Sequence, residues 1–368
     1  MSQTDLQYKI GITLIPGVGD VNAKKLIAYC GGVEAVFKEK QNALIKIPGI
    51  GLSVAESIIK SNVLSVAEQE IKFIEQNEIK TLFYLDSDYP ERLKHCTDSP
   101  VMLYYKGNCD LNTNKILGVV GTRNATEYGK EICRRIIEDL APLNVMIVSG
   151  LAFGIDVHAH KAALHYGLNT IGVLGHGLEM IYPSLHLNVS KKMTEQGGLL
   201  TDFRSNSKFI AENFPRRNRI VAGMVDAILV VEAAKKGGAL ITAEIANSYN
   251  RDVFAVPGRI GDMYSEGCNN LIKSNKAVIV TSAKDIMYIM AWQEKENKKT
   301  VNVQKQLFIE LSEDEKKIVD VLNGAGSVTV DMIGITAGLQ VSKTAAVLLN
   351  LELMGIIKSL PGKKYQLR

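Results

Sequence analysis

Cysteine is scarce in this 368-residue chain. The five cysteines, Cys30, Cys96, Cys109, Cys133 and Cys268, form no C-x-x-C pair and have no histidine at a metal-ligand spacing. A disulfide framework and a structural zinc site both need closer spacing than this. We therefore expect reduced thiols, no bound metal and no other cofactor.

Long apolar runs are absent as well. No stretch approaches the roughly 18 apolar residues that a membrane span requires. The start of the chain, MSQTDLQYKIG, lacks a basic region followed by an apolar stretch. The sequence thus predicts a soluble, cytoplasmic protein without a membrane partner, and its 46% hydrophobic residues can fill the cores of two or three domains.

Excess charge is small, +4 overall, and it is unevenly placed. Residues 1–75 carry eight basic and eight acidic side chains, and residues 306–368 carry seven of each. The middle of the chain holds 28 Lys and Arg against 24 Asp and Glu, so it carries the whole positive excess.

The N-terminal segment contains an internal repeat. LIPGVGDVNAKKLI (14–27) is echoed by KIPGIGLSVAESII (46–59). Each copy predicts a helix, a tight Pro-Gly-x-Gly turn and a second helix. Residues 1–75 are similar to a pair of helix-hairpin-helix motifs in a sterile-alpha-motif-like domain. Their zero net charge leaves two roles open, binding a nucleic-acid backbone and docking a protein.

Short apolar runs alternate with helical stretches through the middle of the chain. Seven of them are present: KILGVVG, NVMIVSG, NTIGVLG, GGLLTDF, DAILVVEA, DVFAVPG and AVIVTS. Strands that are apolar throughout are typical of a parallel sheet covered on both faces. We predict an α/β, Rossmann-like, doubly wound and mainly parallel sheet at about 110–288, within a domain of 76–290.

A charged segment poor in apolar residues, 291–306, is expected to be a linker. Residues 307–368 then show three helical patterns and a terminal hairpin pattern, the order of a winged helix. The third helix offers Gln340, Lys343, Asn350 and Glu352, with only one cation. Protein docking is therefore favoured over base reading for this domain.

Three glycine-rich loops follow predicted strands: GTRNATEYG (121–129), SGLAFGID (149–156) and GHGLEMIYP (175–183). Loops at the carboxyl ends of parallel strands share one crevice, where helix N-termini attract anions. The glycine spacing of a dinucleotide site, a P-loop and a G-x-S-x-G nucleophile are all missing. An extended polyanion is the ligand class that remains.

The composition of the stretch FPRRNR (214–219) indicates which polyanion binds. A single strand is held by phosphate-binding cations and by aromatic rings on which bases stack. Arginine binds phosphate through a planar fork, which explains three arginines and no lysine here. We interpret the stretch as a loop, stiffened by Pro215, that presents its arginines to single-stranded nucleic acid.

Eight motifs along about 84–286 resemble, in the same order, those of the DNA-processing protein A family (DprA, or Smf). They are GVVGTRNATEYG, VSGLAFGIDVHAHKAAL, GVLGHGLEMIYP, GGLLTDF, FPRRNRIVAGM, GGALITAEIA, RDVFAVPGRI and SEGCNNLI. The resemblance implies a protein that binds and protects single-stranded DNA without enzymatic turnover. It also implies a homodimer formed through the Rossmann-like domain, loading of the RecA recombinase during natural transformation, and single-strand-binding protein as a further partner.

By position, the resemblance assigns the DNA site to ten residues: Gly121, Thr122, Arg123, Ser149, Gly150, Phe214, Arg216, Arg217, Asn218 and Arg219. Phe214 would stack on a base, and Asn218 would hydrogen-bond a base or the backbone. No catalytic, cofactor-binding or metal-binding residue is implied. Two loops depart from the family pattern, at KKGGALITA (235–243) and at His186, where asparagine is usual.

Two other functions stay open. GGALITAE (237–244) is similar to the G-G-x-G-T-x-x-E motif of nucleotide phosphoribohydrolases, in which Glu244 would stabilise charge at a ribose. Leu240 replaces the third glycine, which favours an exposed helical carboxylate instead. The chain could also act as an adaptor whose neutral terminal domains dock proteins while the middle dimerises.

Overall fold

The N-terminal repeat folds into two helix-hairpin-helix motifs, as predicted. Gly17 and Gly49 take left-handed φ angles of 81° and 89° at equivalent points of the two turns. In each turn the next residue's N–H donates to the carbonyl three positions earlier, at 3.1 and 3.0 Å. The helices are α1 Gln3–Leu14, α2 Asp20–Cys30, α3 Val33–Lys38, α4 Gln41–Leu44, α5 Leu52–Lys60 and α6 Val63–Gln76.

This computed structural model describes four stretches of the chain: 3–292, 311–325, 327–360 and 362–367. The chain divides into two units, Met1–Lys295 and Glu296–Arg368. In the described stretches, no single helix is long and apolar enough to cross a membrane; one pair bent by 108°, Val330–Ala337 with Val341–Leu353, meets the length and composition test together.

The predicted apolar runs all form strands of one sheet. In chain order the strands are β1 Lys80–Phe83, β2 Met102–Gly107, β3 Ile116–Val120, β4 Met146–Ser149, β5 Thr170–Val173, β6 Gly197–Thr201, β7 Ala227–Val230, β8 Asp252–Ala255 and β9 Val278–Ile279. Their spatial order is β1-β2-β6-β5-β4-β3-β7-β8-β9. From β6 to β9 all pairs are parallel, so the Rossmann-like prediction is confirmed.

The sheet has two antiparallel strands that the sequence pattern did not reveal. β1 pairs with β2, and β2 pairs with β6, both antiparallel. Phe83, Met102 and Tyr104 on these strands are buried in the same core as the hairpin helices. The helical segment is therefore packed on the sheet through a shared core.

Helices cover both faces of the sheet, as a doubly wound fold requires. They are α7 Glu91–Lys94, α8 Glu127–Leu140, α9 Ile155–His165, α10 Leu187–Glu195, α11 Asn213–Gly223, α12 Gly238–Ser248, α13 Glu266–Lys273 and α14 Ala283–Ile289, with short 3₁₀ turns at Ala141–Leu143 and Ser184–His186. Trp292, which the predicted linker 291–306 includes, is instead buried against this core, and the rest of that linker lies outside the described residues.

The second unit is a winged helix, as predicted. Its elements are α15 Glu313–Ala325, β10 Val328–Thr329, α16 Val330–Ala337, α17 Val341–Leu353, β11 Ile357–Leu360 and β12 Lys364–Leu367. The three strands pair in the order β10-β12-β11, all antiparallel. Ile318, Ile333 and Leu348, one from each helix, are fully buried together.

Candidate nucleic-acid interface

A pocket of about 790 Å³ opens at the carboxyl ends of the central strands. β3 and β7 are neighbours, but the chain leaves β3 toward β4 on one side and returns to β7 on the other. The loops after these strands diverge at this switch point, which leaves a crevice between them. Gly121 and Thr122 after β3, Asp156 of α9 and Lys236 after β7 line the pocket together with α11.

FPRRNR is helical, so the prediction of a loop there is wrong. Pro215 lies in the first turn of α11, where a missing N–H is tolerated. Residues at i, i+3, i+4 and i+7 share one side of a helix. Phe214, Arg217, Asn218 and Val221 have this spacing, and all four line the pocket.

Arg217 is a buried cation at the wall of the pocket. Its side chain is almost inaccessible, 5% exposed, and among the described residues it has neither a hydrogen bond nor an ion pair within 4.0 Å. Burial lowers the pKa of Arg217 to about 10, opposed by the attraction of Asp156. The guanidinium therefore stays charged at neutral pH, with its hydrogen-bonding capacity unused.

Arg219 lies on the opposite side of α11 and does not reach the pocket. Its Nη2 donates to Asp20 Oδ2 at 2.9 Å and to Asp202 Oδ2 at 2.7 Å. Burial opposes the charge of Arg219, but Asp202 and Asp20 outweigh burial and raise its pKa. The assignment of Arg219 to DNA is corrected for this reason: its fork is already occupied by two carboxylates.

Arg216 is half-exposed and also faces these carboxylates. Its Nη2 lies 3.7 Å from Asp202 Oδ2 and 4.0 Å from Asp20 Oδ2. Its guanidinium carbon lies 5.4 Å from the centre of the Phe203 ring. Arg216 is not one of the residues that line the pocket, so it can contact a phosphate only at the rim of the pocket.

Ser149 and Gly150 are buried and do not line the pocket themselves. The Ser149 hydroxyl is fully buried and donates to the Val119 carbonyl at 2.6 Å, so a role in contacting DNA through this side chain is corrected. A Cβ on Gly150 would overlap the guanidinium of Arg217. Glycine at this position is therefore what allows Arg217 to lie against the loop after β4.

The remaining predicted residues come together as expected from the strand order. Arg123 lies with its guanidinium carbon 5.9 Å from the centre of the Phe214 ring, within cation–π range. Asn218 Nδ2 donates to the Gly238 carbonyl at 3.4 Å, which ties α11 to the start of α12. Gly121 is packed closely against Ile155, so backbone rather than side chain borders the pocket there.

Sequence reasoning missed Asp156, Tyr182, Phe209 and Lys236 as pocket residues. Burial raises the pKa of Asp156, opposed mainly by Arg217. Tyr182 belongs to the quoted GHGLEMIYP loop, and Phe209 follows Lys208 in an aromatic and basic stretch. That alternation of ring and cation was the available signal.

Glu244 lies outside the pocket. It is on α12, its side chain is largely exposed, and its Oε1 is 3.5 Å from Lys276 Nζ. Among the described residues, no group of three His, Cys, Asp or Glu side chains is placed to hold a metal ion. The carboxylate needed by the phosphoribohydrolase hypothesis is thus directed away from the crevice.

The fold and the pocket define a Rossmann-like protein with a crevice at its switch point that is lined by arginine and lysine side chains. Residues 80–291 match the family model for DNA recombination-mediator protein A, residues 306–363 match the DprA winged helix domain, and residues 11–61 match a helix-hairpin-helix motif. The chain belongs to the DNA recombination-mediator protein A family.

Individual relatives agree with this assignment. The chain is 32% identical to Protein Smf of Synechocystis over the full length of both, and 39% identical to Protein Smf of Escherichia coli over 76% of this chain and 75% of that one. The X-ray structure of DprA from Streptococcus pneumoniae matches with a TM-score of 0.66 at 32% identity, covering 78% of this chain and 98% of that chain.

A second solved structure concerns the unique single-stranded DNA binding mode of DNA processing protein A from Helicobacter pylori. It matches with a TM-score of 0.53 at 27% identity, covering 58% of this chain and 96% of that chain.

Proposed function

We propose that this protein binds single-stranded DNA in the pocket and acts as a recombination mediator, without catalytic turnover. One observation carries the proposal: Arg217 is a buried, charged fork at the wall of the pocket that makes no hydrogen bond among the described residues, with only the attraction of Asp156 to oppose its burial. A buried cation is costly unless an anion pairs with it. A phosphate would supply the missing acceptors, and Phe214 would lie beside the adjoining base.

The pocket's composition favours a strand over a free nucleotide. Arg123 and Lys236 extend the positive charge beyond Arg217, so more than one phosphate can be met. The single-strand binding described for the Helicobacter pylori relative supports the same ligand. We propose protection of incoming strands and their transfer to the RecA recombinase as the cellular role, with single-strand-binding protein as a further partner.

The binding proposal is tested by fluorescence anisotropy with a labelled oligothymidine and its duplex form, across a salt series. We compare the wild type with Arg217→Gln and Arg123→Gln, and use Arg135→Gln on the outer face of α8 as a matched control. We expect single-strand preference in the wild type. Each pocket variant should weaken binding and reduce the slope of log affinity against log salt by about 0.7 per lost phosphate contact.

A wild-type protein that does not bind oligothymidine at low salt would contradict the proposal. So would equal salt slopes in the wild type and both pocket variants.

Recombinase loading is a separate step and has its own test. Single-strand-binding protein is placed on oligothymidine, and recombinase assembly is followed with and without this chain. We expect faster assembly with the wild type and no acceleration with Arg123→Gln, because the strand must first be held. Equal rates with and without the wild-type protein would remove loading from the proposal while leaving strand binding intact.

We propose that the winged helix docks a protein. Lys343 is paired with Asp314 at 2.6 Å, and Asn350 donates to Glu315, so these two polar side chains of α17 are engaged within the unit. Leu349 and Leu353 are exposed on the same helix. An apolar surface with its cation neutralised suits a protein surface better than phosphate.

We also propose a homodimer formed through the Rossmann-like domain. β9 is the edge of the nine-stranded sheet, and Val278 and Ile279 on it are exposed. An apolar sheet edge is a template for pairing with another chain. Light scattering should give a dimer mass for the wild type and a monomer mass for Ile279→Glu, and a monomeric wild type would contradict the proposal.

A further inference from the structure

The Phe214 ring, the expected stacking platform, is only partly exposed. A Cβ on Gly175 would lie 3.1 Å from Phe214 Cδ1, so the loop after β5 packs closely against this carbon of the ring. The Arg123 guanidinium lies near the ring at 5.9 Å from its centre. A base can contact Phe214 inside the pocket, but this ring alone offers little exposed surface for stacking.

Two other rings at the same end of the sheet are more open. Tyr182, in the loop after β5, is 45% exposed, and Phe209, in the loop after β6, is 43% exposed. Their centres are 4.9 Å apart with an angle of 62° between the rings. An edge contact uses the rim of one ring, so ring faces of the pair remain uncovered.

The pair adjoins the pocket ring. Phe214 lies 5.7 Å from Phe209 at 90°, and 6.0 Å from Tyr182 at 50°. Tyr182, Phe209 and Phe214 all line the same pocket as Arg123 and Arg217. The exposed rings therefore continue the site instead of forming an isolated apolar patch.

The charges around Tyr182 and Phe209 indicate which class of ligand these rings bind. Exposed rings alone would suit a protein partner, but Lys208 is exposed immediately before Phe209, and Arg123 lies at the pocket ring. Asp156 is the one carboxylate among the described residues that line the pocket, and it is buried beside Arg217. Rings set among cations are complementary to bases joined by phosphates.

We infer that Tyr182 and Phe209 form a second base-stacking subsite, which takes the nucleotide next to the one held at Phe214. This inference rests on the proposed single-strand binding and specifies a second contact within it. The ring centres are 5.7–6.0 Å apart, whereas stacked bases rise by roughly 3.4 Å. Successive bases on the two subsites would be unstacked from each other, which a paired duplex resists.

The test separates base contacts from phosphate contacts. Binding of labelled oligothymidine is compared with binding of an equally long abasic deoxyribose-phosphate strand, which has the charges but no bases. Tyr182→Ala and Phe209→Ala are measured beside the wild type, with Tyr182→Phe as the conservative variant. Tyr29→Ala is the control, because Tyr29 is an exposed tyrosine on α2.

Loss of one stacked base should weaken oligothymidine binding about 5- to 150-fold in each alanine variant. Abasic-strand affinity and the salt slope should stay at wild-type values, since the phosphate contacts remain. Tyr182→Phe should retain oligothymidine affinity, and so should Tyr29→Ala.

Three results would overturn the inference. Equal weakening on both strands would assign the rings a structural role. Unchanged oligothymidine affinity, with a wild type that binds, would leave the rings to a protein partner and the proposed function intact. A wild type that binds neither strand would remove the proposed function itself.

Discussion

Arg219 and Asp20 are joined by an ion pair of 2.9 Å, although they are far apart in the chain, Asp20 in the helical segment and Arg219 on α11 of the same unit. Asp20 begins the helix after the first Pro-Gly hairpin turn and also accepts a hydrogen bond from the Val101 N–H at 2.9 Å. Asp202, which Arg219 contacts as well, is almost inaccessible to solvent. The first hairpin therefore helps to hold the helical segment to α11, the helix that forms the pocket wall.

Arg219→Ala should destabilise the fold much more than Arg216→Ala. Removing one partner of a buried ion pair costs about 3–5 kcal/mol, because the buried Asp202 charge loses its nearer cation and the hydrogen bond from it. Arg216 is half-exposed and lies farther from the same carboxylates, so its loss should cost about 1 kcal/mol or less. Urea unfolding of both variants measures the difference, and similar changes in the free energy of unfolding would contradict the structural role of Arg219.

Gly150→Ala should disturb the pocket through Arg217. The new Cβ would occupy the position of the guanidinium, and overpacking of this kind costs about 1–3 kcal/mol of stability. We expect weaker oligothymidine binding together with a lower unfolding midpoint. Gly51→Ala is the control, since that glycine has a negative φ and open space around it, and an equal effect there would remove the specific role of Gly150.

Stability should fall as the pH drops below about 6.5, in part because of His160. Burial lowers the pKa of His160 to about 3, and its Nδ1 lies 2.7 Å from Thr170 Oγ1. Between this value and the unfolded pKa of about 6.5, the unfolded chain binds more protons, so acid favours unfolding. The loss from this one group should reach about 2 kcal/mol at pH 5.

Urea unfolding between pH 7 and pH 5 checks the His160 contribution. His160→Gln should flatten the pH dependence by up to about 1.4 kcal/mol per pH unit, and His165→Gln, at an exposed position of the same helix, is the matched substitution. A pH dependence that is the same in both variants would show that His160 is not the group responsible.

Deleting residues 306–368 should leave strand binding within about twofold of the wild type, because the pocket lies wholly in the first unit and its phosphate contacts are retained. The same deletion should abolish partner capture if the winged helix is the docking domain. Anisotropy with oligothymidine and a pull-down with purified recombinase measure the two effects. Lost strand affinity in the truncated chain would place part of the DNA site in the winged helix.

Nucleoside monophosphates should release no free base in the presence of this protein. Glu244 is on the outer side of α12 and is paired with Lys276, so it cannot reach a ribose in the crevice. Chromatography of the reaction mixture checks this. Base release that disappears in Glu244→Gln would establish the phosphoribohydrolase activity instead.

Local patterns were enough to predict the sheet and both flanking motifs. Runs such as DAILVVEA became central parallel strands because only a sheet covered on both faces buries such a run. The repeated Pro-Gly turns predicted matching hairpins because both glycines need a left-handed φ. β1 and β2 were not predicted, since their antiparallel pairing depends on partners elsewhere in the chain.

The roles of the three arginines could not be predicted from residue type. Arg219 is a structural residue only because Asp20 and Asp202 meet it in space. Arg217 lies at the pocket wall because Gly150 leaves room for its guanidinium. The spacing of Phe214, Arg217 and Val221 did carry a helical signal, which the cluster of charges obscured.

The helical form of FPRRNR also limits how this stretch can change over evolution. Arg217 and Arg219 differ by two positions, which places them about 200° apart around α11. A loop could absorb an inserted or deleted residue with little effect. In this helix the same change would rotate one set of side chains by about 100° and misdirect either the pocket residues or Arg219, which holds the helical segment. Insertions and deletions within these six residues should therefore be tolerated less well than substitution of Arg216, whose side chain lies at the rim.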